Sequence, residues 1–208
     1  TVRDNFSGGH THGYEIMSAF TALLDGVPVT ISDLTTRTSF NELKLIETSA
    51  MYDPADHTTV VANHGREYIF NADGMTINQS LDWLVNSDVE NCYMAMFLPS
   101  KKRLDRAIAN NDFAVVQLAS ETGDRTTTAT KQNATEVDMF DTDGGLSAKI
   151  SVPVYPKGLT GGDKAIITDN GGLSYNKLYF VVCSGAEISS GALFKTKTEY
   201  KLDYRVTT

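Results

Sequence analysis

An all-β fold, an antiparallel sandwich of two sheets, is the class that this 208-residue sequence predicts. Three observations carry that reading. Apolar and polar side chains alternate along several extended runs, glycine-containing reversals separate the runs, and the length suits one sandwich with an undivided core.

The elements are taken in chain order. "YEIMSAFTALL", residues 14 to 24, fits a strand but also a helix, since Ile16, Ala19, Phe20, Leu23 and Leu24 share a 3.6-residue face. The strand is preferred because Asp25-Gly26 follows at once and leads into "VPVTI". An Asp-Gly pair suits a type I′ hairpin, whose two central residues both take positive φ. "ANHGREYIF", 62 to 70, is the next strand of interest. "MTINQSLDW", 75 to 83, then sets Met75, Ile77, Leu81 and Trp83 against Thr76, Asn78, Ser80 and Asp82. Trp83, closing an apolar face, is expected in the core.

Further on, "SKKRLDRAIANND", 100 to 112, is rich in helix formers and predicts a short helix across a sheet edge. Residues 120 to 136 are too polar to bury and are expected to form a mobile loop. "GLSAKISV", 145 to 152, alternates Leu146, Ala148, Ile150 and Val152 with Ser147, Lys149 and Ser151. "LFKTKTEYKLDY", 193 to 204, alternates Phe194, Thr196, Thr198, Tyr200, Leu202 and Tyr204 with Lys195, Lys197, Glu199, Lys201 and Asp203. Reversals are read at Asp73-Gly74, Asp143-Gly144-Gly145, Gly161-Gly162-Asp163 and Asn170-Gly171-Gly172.

Charge narrows the function. Twenty-six acidic against eighteen basic residues give a net charge of -8 and a pI near 4.9. Such a surface repels phosphate backbones and anionic lipid, which argues against nucleic acid and membrane partners. The longest apolar runs, "LYFVVC" at 178 to 183 and "YMAMFL" at 93 to 98, fall far short of the roughly 20 residues a membrane-crossing helix needs. No charged stretch followed by an apolar run opens the chain, and its start at Thr1 suggests a processed protein or a fragment. Cys92 and Cys183 lie inside apolar runs and are expected as buried free thiols, with a disulfide between strands as the alternative.

The chemistry-bearing residues concentrate early. His10, His12, His57 and His64 all fall in the first third. A His-x-His pair puts both rings on one side of a strand, a spacing that recurs in metal sites. The cupin pattern, however, wants three or four residues before its glutamate, and only Gly13-Tyr14 separates His12 from Glu15. A glycine-rich strand entry without metal or cofactor is therefore preferred. The acidic turn "DTDGG", 141 to 145, offers oxygens for calcium, but no EF-hand ligand order is present.

If "THGYEIM" and "ANHGREYIF" are neighbouring strands, alternation gathers His12 and Tyr14 with His64, Arg66 and Tyr68. Those five are the candidate ligand-binding residues. Arg66 would complement an acidic sugar, and the tyrosines would stack on rings or bond to hydroxyls. The same set suits a polysaccharide lyase, while a hydrolase would need two carboxylates from among Glu15, Glu47 and Glu67.

The blocks "ETSAMYDPADHTTVVANHGREYIFNADGMTINQSLDWL", 47 to 84, and "CYMAMFLPSKKR", 92 to 103, resemble carboxyl-terminal domains of bacteriophage tail spikes and tail fibres. The resemblance implies a jelly-roll module at the distal end of a homotrimeric fibre, on the virion and outside the cell. It further implies binding or trimming of a bacterial surface polysaccharide, with recognition as the first reading and cleavage as the alternative. Stable trimers would bury one lateral face of each protomer.

Overall fold

A computed structural model describes residues 14–35, 39–121, 127–141, 145–169 and 172–203. Among them the only helical turn is a short 3-10 segment at Asp33–Thr35. The rest of the regular structure is strand.

The strands are β1 (Tyr14–Leu24), β2 (Val27–Val29), β3 (Leu43–Tyr52), β4 (Val60–Asn71), β5 (Gly74–Trp83), β6 (Ser87–Phe97) and β7 (Arg106–Ala109). They continue with β8 (Asp112–Gln117), β9 (Thr128–Gln132), β10 (Glu136–Phe140), β11 (Ser147–Val154), β12 (Lys164–Asp169), β13 (Asn176–Ile188) and β14 (Leu193–Asp203). β1 pairs with β2 and β3, β4 with β3 and β5, β7 with β8 and β10, β10 with β11, and β12 with β9 and β13, all antiparallel. The all-β antiparallel sandwich read from the alternation is thus the observed class. The chain forms two compact units, and β6, β13 and β14 each run from one into the other.

The first unit contains β1 to β5 with the opening part of β14, in the order β2-β1-β3-β4-β5-β14. β1 and β2 are joined by the hairpin read from Asp25-Gly26, with φ of 49° and 81° at the two residues. Asp25 also accepts the Asn41 and Glu42 amides at 2.8 Å each, which anchors the turn. The next reversal lies one position earlier than the sequence suggested. Asn71 pairs with Gly74, so Ala72-Asp73 form the turn, and the Asn71 side chain accepts the Asp73 amide at 2.9 Å. Trp83 is buried, edge-on to Phe194 at 5.9 Å, as a core residue should be.

The second unit has two layers, in the orders β14-β11-β10-β7-β8 and β6-β13-β12-β9. Strict alternation buries one face of each: Val137 and Met139 of β10, Ile150 and Val152 of β11, Ile167 of β12, and Leu178 and Phe180 of β13. Cys92 and Cys183 are free, buried thiols, as expected. They touch one another, and their hydrogen bond followed by burial pushes the Cys92 thiol up. Asn176 is fully buried and donates to the carbonyls of Leu104 (2.8 Å) and Ala119 (3.2 Å). Asp169, also buried, accepts the amides of Ala119 and Thr127. Gly162 approaches β13 so closely that a Cβ there would lie 2.2 Å from the Val182 carbonyl oxygen.

Two segments differ from the sequence reading. The expected helix over 100 to 112 is a bridge at Ser100, a turn, and the β7–β8 hairpin. Ala107 and Ala109 are fully buried while Arg106 and Ile108 are half-exposed, so a period of two won over helix propensity. Within the expected loop, Thr128–Gln132 is a strand paired with β12. β-branched threonines favour the pleat, and Lys131 is held by Asp112 at 2.6 Å. Residues 122–126, and the reversals read at Asp143-Gly144 and Asn170-Gly171, lie outside the described residues.

Candidate functional site

The site belongs to the first unit and follows from its register. On β4, His64, Arg66 and Tyr68 share one face because successive side chains alternate. Their cross-strand partners are Ser49, Glu47 and Leu45 on β3, and Leu81, Gln79 and Ile77 on β5. β1 meets the same face in two frames. Phe20 and Ala22 pair with Glu47 and Leu45, and an extra residue at Ser18 shifts the register, so that Met17 pairs with Ser49 and Glu15 with Met51. A β-bulge of this kind reverses which parity faces inward. Ser18 itself bonds to Thr48, through both the carbonyl and the hydroxyl at 3.1 Å.

That bulge delivers Glu15 to the cluster. One terminal nitrogen of Arg66 donates to both Glu15 oxygens, at 2.7 and 2.8 Å, and the other donates to Glu47 Oε1. Ser49 Oγ also donates to Glu15 Oε1. His64 Nδ1 lies 3.1 Å from the same oxygen, and its Nε2 lies 3.3 Å from Gln79 Oε1. An ionised carboxylate only accepts, so Nδ1 is the donor of that bond. The Tyr68 hydroxyl reaches Glu47 Oε1 at 3.5 Å. Arg66 thus ties together two strands' carboxylates, and the array is fixed from several sides.

Electrostatics follow from this packing. Burial of Glu15, with only 6% of its side chain exposed, pushes its carboxyl up. Hydrogen bonds from His64, Arg66 and Ser49 outweigh that and hold it well below the usual carboxylate range. Burial lowers Arg66, but the bonds to Glu15 and Glu47 prevail and raise it. Tyr68 is raised by burial and by the Glu47 charge. Two carboxylates, Glu15 and Glu47, thus face one guanidinium.

Of the five residues read from the sequence, the structure unites three: His64, Arg66 and Tyr68. Tyr14 is a correction. It lies on the opposite face, edge-on to Tyr52 at 5.7 Å and stacked on His57 at 4.8 Å. The physical reason is the bulge: counting back from Phe20 by twos reaches Tyr14, and the extra residue substitutes Glu15. His12 and His10 lie outside the described residues, so the His-x-His metal reading and the His12 ligand reading fall there too. Among the described residues no group of three His, Cys, Asp or Glu is placed to hold a metal ion.

Sequence reasoning missed Ser49 and Gln79 and gave Glu15 and Glu47 a different role. The β3–β4–β5 register would have found Glu47, Ser49 and Gln79, since each lies opposite His64 or Arg66. Glu67, the third carboxylate weighed for hydrolysis, faces the other side, bound by Asn78 at 2.7 Å and Lys44 at 3.2 Å. The role expected of Arg66 also changes. Its charge is already shared by two carboxylates, which disfavours a third anion there. Glu15, held ionised, does not suit the proton-donating half of a hydrolytic pair.

The cluster sits on one face of the sheet. Beside it along β3, β4 and β5, Leu45, Phe70, Met75 and Ile77 are half-buried on the same face. A shallow depression of about 470 Å³ lies at the hairpin end, lined by Phe40, Asn41, Asn71, Ala72 and Asp73.

No protein-family profile matches the chain, and no curated protein matches it. Among solved structures, it is similar to the Slr1438 protein of Synechocystis sp. PCC 6803, with a TM-score of 0.46, 8% identity, and 81% of this chain covering 64% of that one. It therefore spans less than two thirds of that protein's length. It is also similar to a putative aldose 1-epimerase from Escherichia coli K12, with a TM-score of 0.42, 11% identity, and coverage of 81% of this chain and 67% of the other.

Proposed function

We propose that this chain recognises carbohydrate through the face carrying Glu15, Glu47, His64, Arg66, Tyr68 and Gln79. The observation that supports the reading is the bridging of Glu15 and Glu47 by Arg66 beside half-buried aliphatic and aromatic side chains. Sugar hydroxyls donate and accept at once, and planar polar groups already locked in place lose little freedom when they bind them. The apolar neighbours suit the C–H faces of a ring. Because the guanidinium is already countered, the favoured ligand is a neutral, hydroxyl-rich sugar rather than a uronate.

The narrower proposal is a receptor-recognition domain of a phage tail spike or fibre. It would be a homotrimer on the virion tail that binds a bacterial surface glycan, with the sandwich of jelly-roll type. Its support is the resemblance of residues 47 to 84 and 92 to 103. A glycan array of neutral and acidic bacterial saccharides tests the site when run with the parent and with Tyr68→Phe, Gln79→Ala and His64→Ala. Loss of about tenfold in affinity per lost hydrogen bond to a charged or oriented group is expected. If all three variants fold and bind as the parent does, the site is wrong. Following reducing ends and unsaturated-uronate absorbance in the same mixtures separates recognition from cleavage.

A further inference from the structure

The outer face of β6-β13-β12-β9 in the second unit has the opposite electrostatic character from the site above. Register lays three rows across it. Thr130, Ile166 and Tyr179 form the middle row, and Tyr93 stacks on Tyr179 at 4.9 Å with 29° between the rings. Gln132, Lys164 and Val181 form the row on one side. Thr128, Thr168 and Lys177 form the row on the other, where the two threonine hydroxyls are 2.8 Å apart and Lys177 sits 5.7 Å from the Tyr175 ring centre.

The alternate residues Ala165, Ile167, Leu178 and Phe180 are buried, so this face is the more exposed one, with Val181 alone of its three rows buried. Lys164, Ile166, Thr168, Lys177 and Tyr179 are all half-exposed on it. None of these three rows contains a carboxylate, although the chain as a whole carries -8. Among the described residues neither Lys164 nor Lys177 is in an ion pair. Two uncountered ammonium groups therefore flank an apolar Tyr/Ile strip, separated by four residues along the strands, about 13 Å.

We infer that this face is a second ligand surface, for a linear polysaccharide bearing carboxylates at intervals. The rings lie along the Tyr179–Ile166 strip, hydroxyls meet Thr128, Thr130 and Gln132, and sugar carboxylates meet Lys164 and Lys177. Nucleic acid fits less well, because its dense charge needs many cationic contacts and the protein's net charge opposes it. The surface is independent of the Arg66 cluster, so each site stands or falls separately.

The test is titration of the whole chain with an oligogalacturonate, its methyl-esterified counterpart and polyglutamate, at low and high salt. Backbone amide shifts locate the binding. The expected result is binding of the free acid that weakens with salt, absent for the ester and for polyglutamate, with shifts on β12 and β13. Lys164→Gln and Lys177→Gln, both surface changes that leave the fold intact, should each weaken it about tenfold, while Gln79→Ala leaves it unchanged. No binding, equal binding of the ester, equal binding of polyglutamate, or sensitivity to Gln79→Ala rather than to the lysines would each overturn the inference.

Discussion

The two units use the same strand alternation for different ends. In the second, parity sorts burial: along β12 and β10, every other side chain is buried and its neighbours are half-exposed. In the first, residues 65 to 70 of β4 and 74 to 80 of β5 are half-exposed on both faces alike. There parity sorts chemistry, placing Arg66 and Gln79 on one side and Glu67 and Asn78 on the other. In the second unit the pattern becomes a core, and over these residues of the first it becomes two chemically distinct faces.

The largest effect should come from the tightest packing. Gly162→Ala places a methyl against the Val182 backbone, which has no flexible atom to yield, and should cost about 3 kcal/mol or more in urea unfolding. Next, Ile167→Ala in the second unit should cost about 3 kcal/mol as a cavity, against about 1 for Ile77→Ala in the first, where only part of the side chain leaves water. Equal costs would erase the contrast between the units.

Arg66→Ala removes the counter-charge of a Glu15 carboxylate that is 6% exposed, and should destabilise by about 2 to 3 kcal/mol. The Glu15 pKa is depressed in the folded chain, so its contribution is complete above the ordinary value of about 4.3 and is lost as pH falls through that region towards the folded value. Acid titration of stability should therefore be shallower in Glu15→Gln than in the parent below that pH. An unchanged slope would mean the carboxylate is not held as described. The smallest effect is expected from Gly26→Ala, about 1 kcal/mol, since Ala resists the φ of 81° in the first hairpin.

Much of the fold was legible because period two is a local signal. The Asp25-Gly26 hairpin, β5, β11, β14 and the buried Trp83 all follow from neighbouring residues. β9 and the β7–β8 hairpin were hidden, since a threonine-rich strand and an arginine- and alanine-rich strand take their state from distant partners, Thr168 for β9 and Met139 for β7 among them. For the site, alternation within β4 was enough to group His64, Arg66 and Tyr68. The partners on β3 and β5 needed the register, and the choice between Tyr14 and Glu15 needed a bulge that composition does not announce.

That one inserted position at Ser18 separates the length of the amino-terminal strand from its register. Deleting Ser18 would straighten the strand yet keep Met17 opposite Ser49 and Glu15 opposite Met51, so the acid would stay beside the guanidinium. Pairing Ser18 regularly with Ser49 would instead slip everything before it by one place, carry Ile16 to where the acid now stands and leave the guanidinium with one counter-ion instead of two. Slippage of the strand, rather than its shortening, is what would exchange the chemistry of this face.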